Sequence, residues 1–213
     1  MFTGLVSDIG TVVGVTGDER LRRLLIRSHY DPASIALGAS IACSGPCLTV
    51  VAVDAADGGA VFAVDAAAET LARTTAGLWR EGTRLNLERS LKIGDELGGH
   101  LVTGHVDGLA EIVSREPVTG GEGDWGASER FTLRAPGPFA RFIAQKGSVC
   151  LDGTSLTVNT VEGDRFSVLL IPHTLQVTTW GERREGDRLN LEVDLIARYA
   201  ARLSESREVP QPA

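Results

Sequence analysis

The chain has 213 residues, of which 43% are hydrophobic and 23% charged, and its formal net charge is −7 at pH 7. This composition is typical of a soluble globular protein with one large or two small domains. The acidic balance argues against nucleic acid or an anionic membrane as a partner, because both require a basic surface. No apolar run reaches the ~18 residues of a membrane span, and no signal-peptide pattern opens the chain, so we expect a cytoplasmic protein.

The two halves of the chain repeat each other. REGTRLNLE at 80–88 matches REGDRLNLE at 184–192 in eight of nine positions. Two further matches join GASIACSGPCLTV to KGSVCLDGTSLTV (38–50 and 146–158) and TGLV to TGHV (3–6 and 103–106). Collinear matches of this kind indicate a duplicated module of about 100 residues. The predicted units are a first copy at 1–97, a second at 98–190, a helix at 191–206 and a flexible tail at 207–213.

Within each copy, short apolar or alternating runs are separated by Gly, Asp and Pro, a pattern typical of strands in a sandwich or barrel. The strands predicted for the first copy are 5–15, 21–28, 40–43, 47–53, 60–65 and 83–88. Those predicted for the second copy are 101–113, 130–134, 148–151, 155–161, 165–171 and 188–193. Helical turns are expected at 31–36, within 66–78, and at 137–145.

Two segments of the second half fall outside this pattern. Gly121, Gly123 and Gly126 spell G-x-G-x-x-G, but an extended run rather than a helix follows, so we interpret the segment as a hairpin loop. Near the C-terminus, apolar residues recur on one face of an amphipathic helix, namely Leu195, Ile196, Tyr199, Ala200 and Leu203. Such a helix either packs on its own barrel or mediates self-association.

The cysteines and histidines do not predict a metal site. Cys43, Cys47 and Cys150 occur without a secretory signal, so free thiols are expected. Cys43 and Cys47 together with His100 and His105 include zinc-ligand types. Their C-x3-C and H-x4-H spacings, however, are not a strong zinc signature, and we predict no metal.

Candidate chemistry lies at the junction and in two paired turns. GGHLVTGHVDG (98–108) combines glycines, which allow close approach of a ligand, with histidines, which exchange protons near neutral pH. SGPCLTV (44–50) and DGTSLTV (152–158) each place a small nucleophilic side chain, Cys47 or Ser155, after a tight turn. These side chains either hold or attack a polar heterocycle, or are half-buried parts of an ordinary strand.

Taken together, MFTGLV, SGPCLTV, DAAAETL (65–71), GGHLVTGHVDG and DGTSLTV resemble the riboflavin synthases of the alpha-chain type, over residues 1–203. The resemblance implies two six-stranded antiparallel Greek-key barrels followed by a helix that joins a homotrimer. It also implies a dismutation, without metal or redox cofactor, of two 6,7-dimethyl-8-ribityllumazine molecules into riboflavin and 5-amino-6-ribitylamino-2,4-pyrimidinedione. The active site would lie between subunits, and association with a lumazine synthase is a further expectation.

The resemblance also implies site residues. A first pocket would use Gly4, Leu5, Val6, Cys47, Leu48, Thr49, Asp65, Ala66, Ala67, Ala68, Glu69 and Thr70. A second would use Gly104, His105, Val106, Ser155, Leu156, Thr157, Ile171, Pro172, His173, Thr174, Leu175 and Gln176, with Lys146 reaching a substrate held by another chain. The positions matched to catalysis are Phe2, Ser40, Cys47, His105 and Asp194.

Some residues depart from the family pattern. Ser44-Gly45-Pro46 replaces the usual Asn-Gly, His173 replaces an acidic residue, and the loop at 119–128 is longer than expected. The main alternative is a non-catalytic lumazine- or flavin-binding protein of the same fold. A flavin reductase and a purely structural β-protein are less favoured, because the second half repeats the first and both copies carry matched polar residues. Cys47, His100 and His105 favour the enzyme.

Overall fold

A computed structural model describes residues 1–118 and 127–207, and the predicted G-x-G-x-x-G loop and nearly all of the predicted tail lie outside these residues. The first copy contains β1 (Asp8–Gly17), β2 (Leu21–Ser28), β3 (Ser40–Cys43), β4 (Cys47–Ala56), β5 (Gly59–Ala67), α1 (Ala68–Arg73) and β6 (Arg84–Arg89). The second contains β7 (Gly108–Pro117), β8 (Glu129–Arg134), α2 (Gly137–Ala140), β9 (Ser148–Leu151), β10 (Thr154–Glu162), β11 (Arg165–Leu170), α3 (Pro172–Val177) and β12 (Arg188–Val193). Helix α4 (Leu195–Arg207) follows.

Each copy closes into an antiparallel six-stranded barrel. The strand order is β1-β2-β5-β4-β3-β6 in the first copy and β7-β8-β11-β10-β9-β12 in the second. Strands β3, β4 and β5 are hairpin-connected neighbours, and β2 lies beside β5, which is a Greek-key arrangement. The predicted fold of two Greek-key barrels and a terminal helix is confirmed.

The duplication extends to irregularities of the backbone. Val13 in β1 and Val113 in β7 are each skipped in the register with the next strand. Val51 in β4 and Asn159 in β10 are skipped in the same way. Bulges bend strands and increase their twist, so their recurrence at equivalent positions shows that both barrels curve by the same means.

Alternation along the strands builds a separate core in each barrel. In β2, Leu24 and Ile26 point inward, whereas Arg23 and Arg27 point to solvent. The first core includes the fully buried Phe62. In the second core Phe131 meets Trp180 edge to face, with ring centroids 4.9 Å apart.

Several predicted boundaries are wrong. Residues 5–7 and 101–107 lie outside the barrel strands, which begin at Asp8 and Gly108. Strand β12 continues to Val193 and α4 begins at Leu195, so the predicted helix start at 191 is four residues early. The turn predicted at 137–145 is helical only over Gly137–Ala140. No helix within the described ranges has the length and apolar character needed to cross a bilayer.

Two equivalent asparagines join the barrels. Asn86 donates to the Asp152 carbonyl (2.9 Å) and accepts from the Thr179 amide (2.8 Å). Asn190 donates to the Ser44 carbonyl (2.6 Å) and accepts from the Thr75 amide (2.7 Å). Both asparagines are buried. Each barrel thus satisfies buried main-chain groups of the other, which gives the interface an approximate two-fold symmetry.

Candidate active site

The first barrel has an opening in its wall. The β4–β5 register ends at Val50 opposite Val64, although β4 extends back to Cys47 and β5 on to Ala67. Beyond that point β5 pairs with β2, and β4 pairs with β3. We call the gap between residues 47–49 and 65–67 the first cleft. It brings together two of the three predicted segments of the first pocket, and Glu69 and Thr70 follow in α1.

The second barrel opens at the equivalent place. The β10–β11 register ends at Val158 opposite Val168, and Leu169 and Leu170 pair with β8 instead. We call the gap between residues 155–157 and 169–171 the second cleft. The predicted run from Ile171 to Gln176 leaves this cleft and forms most of α3.

The polar side chains at the first cleft lie on the outer face of the barrel. Leu48 points into the core, so its neighbours Cys47 and Thr49 point outward. Ser40 is the register partner of Thr49 on β3 and shares that face. Ser40 also borders a cavity of about 240 Å³ that Arg89 and Lys92 help to line. The structure therefore places three predicted residues, Ser40, Cys47 and Thr49, on adjoining strands.

Two segments cross from one barrel to the other, and we call them the crossover segments (3–6 and 103–106). The Cys47 amide donates to the Gly104 carbonyl (2.9 Å), and the Ser155 amide donates to the Gly4 carbonyl (2.8 Å). Both glycines have a positive φ, and an added Cβ would lie 2.4 Å from the Cys47 Cβ or 2.6 Å from the Ser155 Cβ. Only glycine fits such close backbone approach.

This geometry corrects the predicted grouping of the pockets. Gly4 lies against the second cleft rather than the first, and Gly104 lies against the first rather than the second. A repeat identifies equivalent residues, but it does not show whether a segment before the first strand packs on its own barrel or on its neighbour.

Buried carboxylates hold the crossover segments. Glu88 of β6 accepts from the Thr3 amide and hydroxyl and from the Gly4 amide, at 2.7, 2.8 and 2.9 Å. Glu192 of β12 makes the same three bonds to Thr103 and Gly104, at 2.7, 2.7 and 2.9 Å. Burial raises the pKa of Glu88, while its three donors act in the opposite direction. Neither glutamate is among the site residues predicted from the sequence, although each ends the NLE of the strongest repeat.

A histidine side chain is hydrogen-bonded to Ser155 in the second cleft. His100 Nδ1 lies 2.7 Å from Ser155 Oγ, whereas the buried Nε2 has no hydrogen-bond partner among the described residues. Burial lowers the pKa of His100, opposed by the charge of Asp194, so the imidazole is neutral at pH 7. Among the described residues, the Cys47 thiol has no comparable hydrogen bond to a histidine.

The remaining predicted residues occupy different surroundings. Phe2 is fully buried between the barrels, where it pairs with Val102 and packs near Cys47 rather than lining a cleft. His105 is exposed beside Gly104. Asp194 accepts from the Ile196 amide (2.8 Å) at the start of α4. Lys146 is exposed on a turn with a positive φ of 65°.

The three cysteines differ in accessibility. All are free thiols; Cys43 and Cys150 are buried and Cys47 is partly exposed. Burial raises the pKa of both Cys43 and Cys150, which keeps them protonated and unreactive. Within the described residues, no three His, Cys, Asp or Glu side chains are grouped as metal ligands would be.

Comparison with known proteins agrees with the duplicated architecture. The family model of the lumazine binding domain matches residues 3–90 and 103–194. The chain is 58% identical over 206 residues to the riboflavin synthase of Brucella abortus (strain 2308), covering 96% of this chain and 98% of the relative. It is 44% identical over 209 residues to that of Mycobacterium tuberculosis (strain ATCC 25618 / H37Rv), covering 97% and 99%.

Solved structures support the fold. A crystal structure of LumP complexed with riboflavin superposes with a TM-score of 0.75 at 23% identity, over 91% of this chain and 99% of that one. LumP complexed with 6,7-dimethyl-8-(1'-D-ribityl) lumazine gives a TM-score of 0.74 at 21% identity, with the same coverage. With the duplicated domain and the full-length relatives, the chain belongs to the riboflavin synthase family.

Proposed function

We propose that the protein transfers a four-carbon unit between two molecules of 6,7-dimethyl-8-ribityllumazine. The products are riboflavin and 5-amino-6-ribitylamino-2,4-pyrimidinedione, and the step completes riboflavin biosynthesis. The observation that carries the proposal is a pair of equivalent clefts in a chain of this family. One substrate gives up the carbons that the other receives, so the exchange balances without an external oxidant or reductant.

Two similar clefts suit two identical substrates. Holding both reactants in place replaces a bimolecular encounter, which lowers the barrier by about 7–11 kcal/mol in favourable cases. Within the described strands, the main chain of Thr49 faces the first cleft and that of Thr157 faces the second, both without a ladder partner across the gap. These unpaired amides and carbonyls suit the polar edge of a pyrimidine ring.

The residue assignments follow the crossover geometry. The first cleft comprises Cys47–Thr49 and Asp65–Thr70 with 104–106, and the second comprises Ser155–Thr157 and Ile171–Gln176 with 4–6.

His105 or Ser40 assists removal of a proton from the acidic C7 methyl group of one lumazine. Water, Ser40 or Cys47 adds to C7 of the other. Phe2 acts by packing, Asp194 by its charge near His100, and Lys146 at a substrate held by a neighbouring chain.

Helix α4 supports self-association. Ile196, Tyr199 and Leu203 form an apolar stripe, and their exposed fractions in the single chain are 71%, 61% and 65%. Covering this stripe in a homotrimer would bring clefts of neighbouring subunits together. Analytical ultracentrifugation should therefore give a trimer at micromolar concentration, and a stable monomer would contradict an active site shared between subunits. A cytoplasmic location and association with a lumazine synthase complete the proposal.

The decisive experiment adds 6,7-dimethyl-8-ribityllumazine alone to the purified protein and follows the products by chromatography. Riboflavin should appear at half the molar amount of lumazine consumed, together with an equal amount of the pyrimidinedione. Tight binding without any riboflavin would instead support the non-catalytic lumazine-binding alternative, and would overturn the proposed reaction.

A further inference from the structure

We infer that Glu88 and Glu192 are positioning residues, each of which uses its own barrel to complete the cleft of the opposite barrel. The inference rests on the proposed function for the identity of the ligand. Glu192 lies on β12 of the second barrel, but the segment that it holds lies against Cys47 of the first. Glu88 lies on β6 of the first barrel and holds the segment that lies against Ser155 of the second.

Each glutamate side chain accepts three hydrogen bonds from one crossover segment. Both oxygens of each glutamate accept hydrogen bonds, and all three partners are N–H or O–H donors. The exposed fractions of Glu88 and Glu192 are only 7% and 3%. Neither forms an ion pair with a side chain in the described part of the chain. The three donors are therefore the main compensation for burying each carboxyl group.

The carboxylate sets the position of the glycine carbonyl that reaches the opposite strand. Oε2 of Glu192 accepts from the Gly104 amide, and the carbonyl of the same residue accepts from the Cys47 amide. Gly104 therefore links β12 to the end of the first cleft through two hydrogen bonds. His105 follows directly, so Glu192 also fixes the start of the segment that carries this histidine.

Substitution by glutamine tests the requirement for two acceptors. The glutamine amide offers one oxygen and one NH₂ group, so it must turn a donor toward Thr103 or Gly104. A buried donor left without an acceptor weakens the local structure. We therefore expect the first cleft of Glu192→Gln to bind riboflavin about 10-fold more weakly. Glu88→Gln is the matched control, because it makes the same chemical change at the equivalent position and affects the second cleft.

Cys47 provides a reporter that is specific to the first cleft. It is the partly exposed thiol, whereas Cys43 and Cys150 are buried. Modification by 5,5'-dithiobis(2-nitrobenzoic acid) should therefore proceed at one thiol per chain, and riboflavin should slow it. In Glu192→Gln the rate of Cys47 modification without ligand should rise. About 10-fold more riboflavin should be needed to halve that rate. In Glu88→Gln the protection of Cys47 should be unchanged.

Each result has a distinct meaning. Equal protection of Cys47 in the two variants, or unchanged reactivity in Glu192→Gln, would overturn the inference. If all three thiols react, Glu192→Gln has unfolded and Thr103→Val replaces it, since that variant loses only the hydroxyl bond to Oε1. It should give a smaller shift in the same direction, and no shift would overturn the inference. If riboflavin fails to protect the wild-type protein, the proposed function fails, and the ligand-free rates of the two variants still decide the role of Glu192.

Discussion

The two barrels share a strand order, equivalent bulges and a cleft at the same place, but the side chains at the two clefts differ. The first cleft has Cys47, with the exposed His105 on the segment that lies over it. The second has Ser155 bonded to the neutral His100, with Leu5 in the place of His105. The shared backbone suits the two identical substrates of the proposed function, and the side chains that differ are the candidates for the separate roles of donor and acceptor.

The largest expected effect comes from breaking the symmetry at the interface itself. Phe2 is completely buried among residues of both barrels, so Phe2→Ala should lower the free energy of unfolding by about 3–5 kcal/mol. Activity should also fall, because Phe2 packs near Cys47 and pairs with Val102. Urea unfolding followed by tryptophan fluorescence measures the first effect, and riboflavin formation measures the second.

A conservative variant separates volume from aromatic character at this position. Phe2→Leu keeps most of the buried volume and should cost less than about 1.5 kcal/mol. If Phe2→Ala were as stable as the wild type, the interface between the barrels would not depend on this side chain. The packing role assigned to Phe2 would then be wrong.

The next effect concerns the difference between His105 and Leu5. His105→Leu makes the second crossover segment resemble the first, and the exposed position of His105 predicts little change in stability. If His105 assists proton removal, kcat should fall about 100-fold while KM changes little. The reciprocal variant Leu5→His serves as the control and should not increase kcat. Unchanged kcat in His105→Leu would assign the proton transfer to Ser40 or to solvent.

These differences show what the sequence reveals and what it does not. The repeat predicted two barrels and most strands, because alternation and turn residues are local signals. Residues 5–7 were predicted as strand from the apolar Leu5 and Val6, but Leu5 and Ser7 are exposed, because apolar character alone does not distinguish a buried strand from an exposed segment. Asn86 and Glu88 alternate with Leu87 and therefore resemble outward-facing positions. Their burial depends on contact with the other barrel and with the crossover segments, which single-sequence patterns do not reveal.

A smaller effect should follow pH through His100. Burial lowers the pKa of this histidine in the folded state, so folding favours the neutral ring. Stability is therefore fully present above the unfolded pKa of about 6.5, and it is lost as the pH falls through the lower folded value. His100→Asn keeps a hydrogen-bonding atom near Ser155 but does not titrate. Urea midpoints at neutral and mildly acidic pH should thus change less in His100→Asn than in the wild type, and equal changes would contradict a buried neutral ring.

The smallest effect on activity is expected for a substitution that gives one copy the residue found at the equivalent position of the other. Cys47→Ser gives the first cleft the residue that the second carries as Ser155. Both side chains lie under a crossover glycine, so the hydroxyl should fit where the thiol was. Since no described hydrogen bond joins the Cys47 thiol to a base, we expect the rate of riboflavin formation to stay within the same order of magnitude. A much larger loss would identify the thiol as the nucleophile that adds to C7, because a serine without an adjacent base is a poor replacement. Retained turnover would leave Ser40 or water in that role.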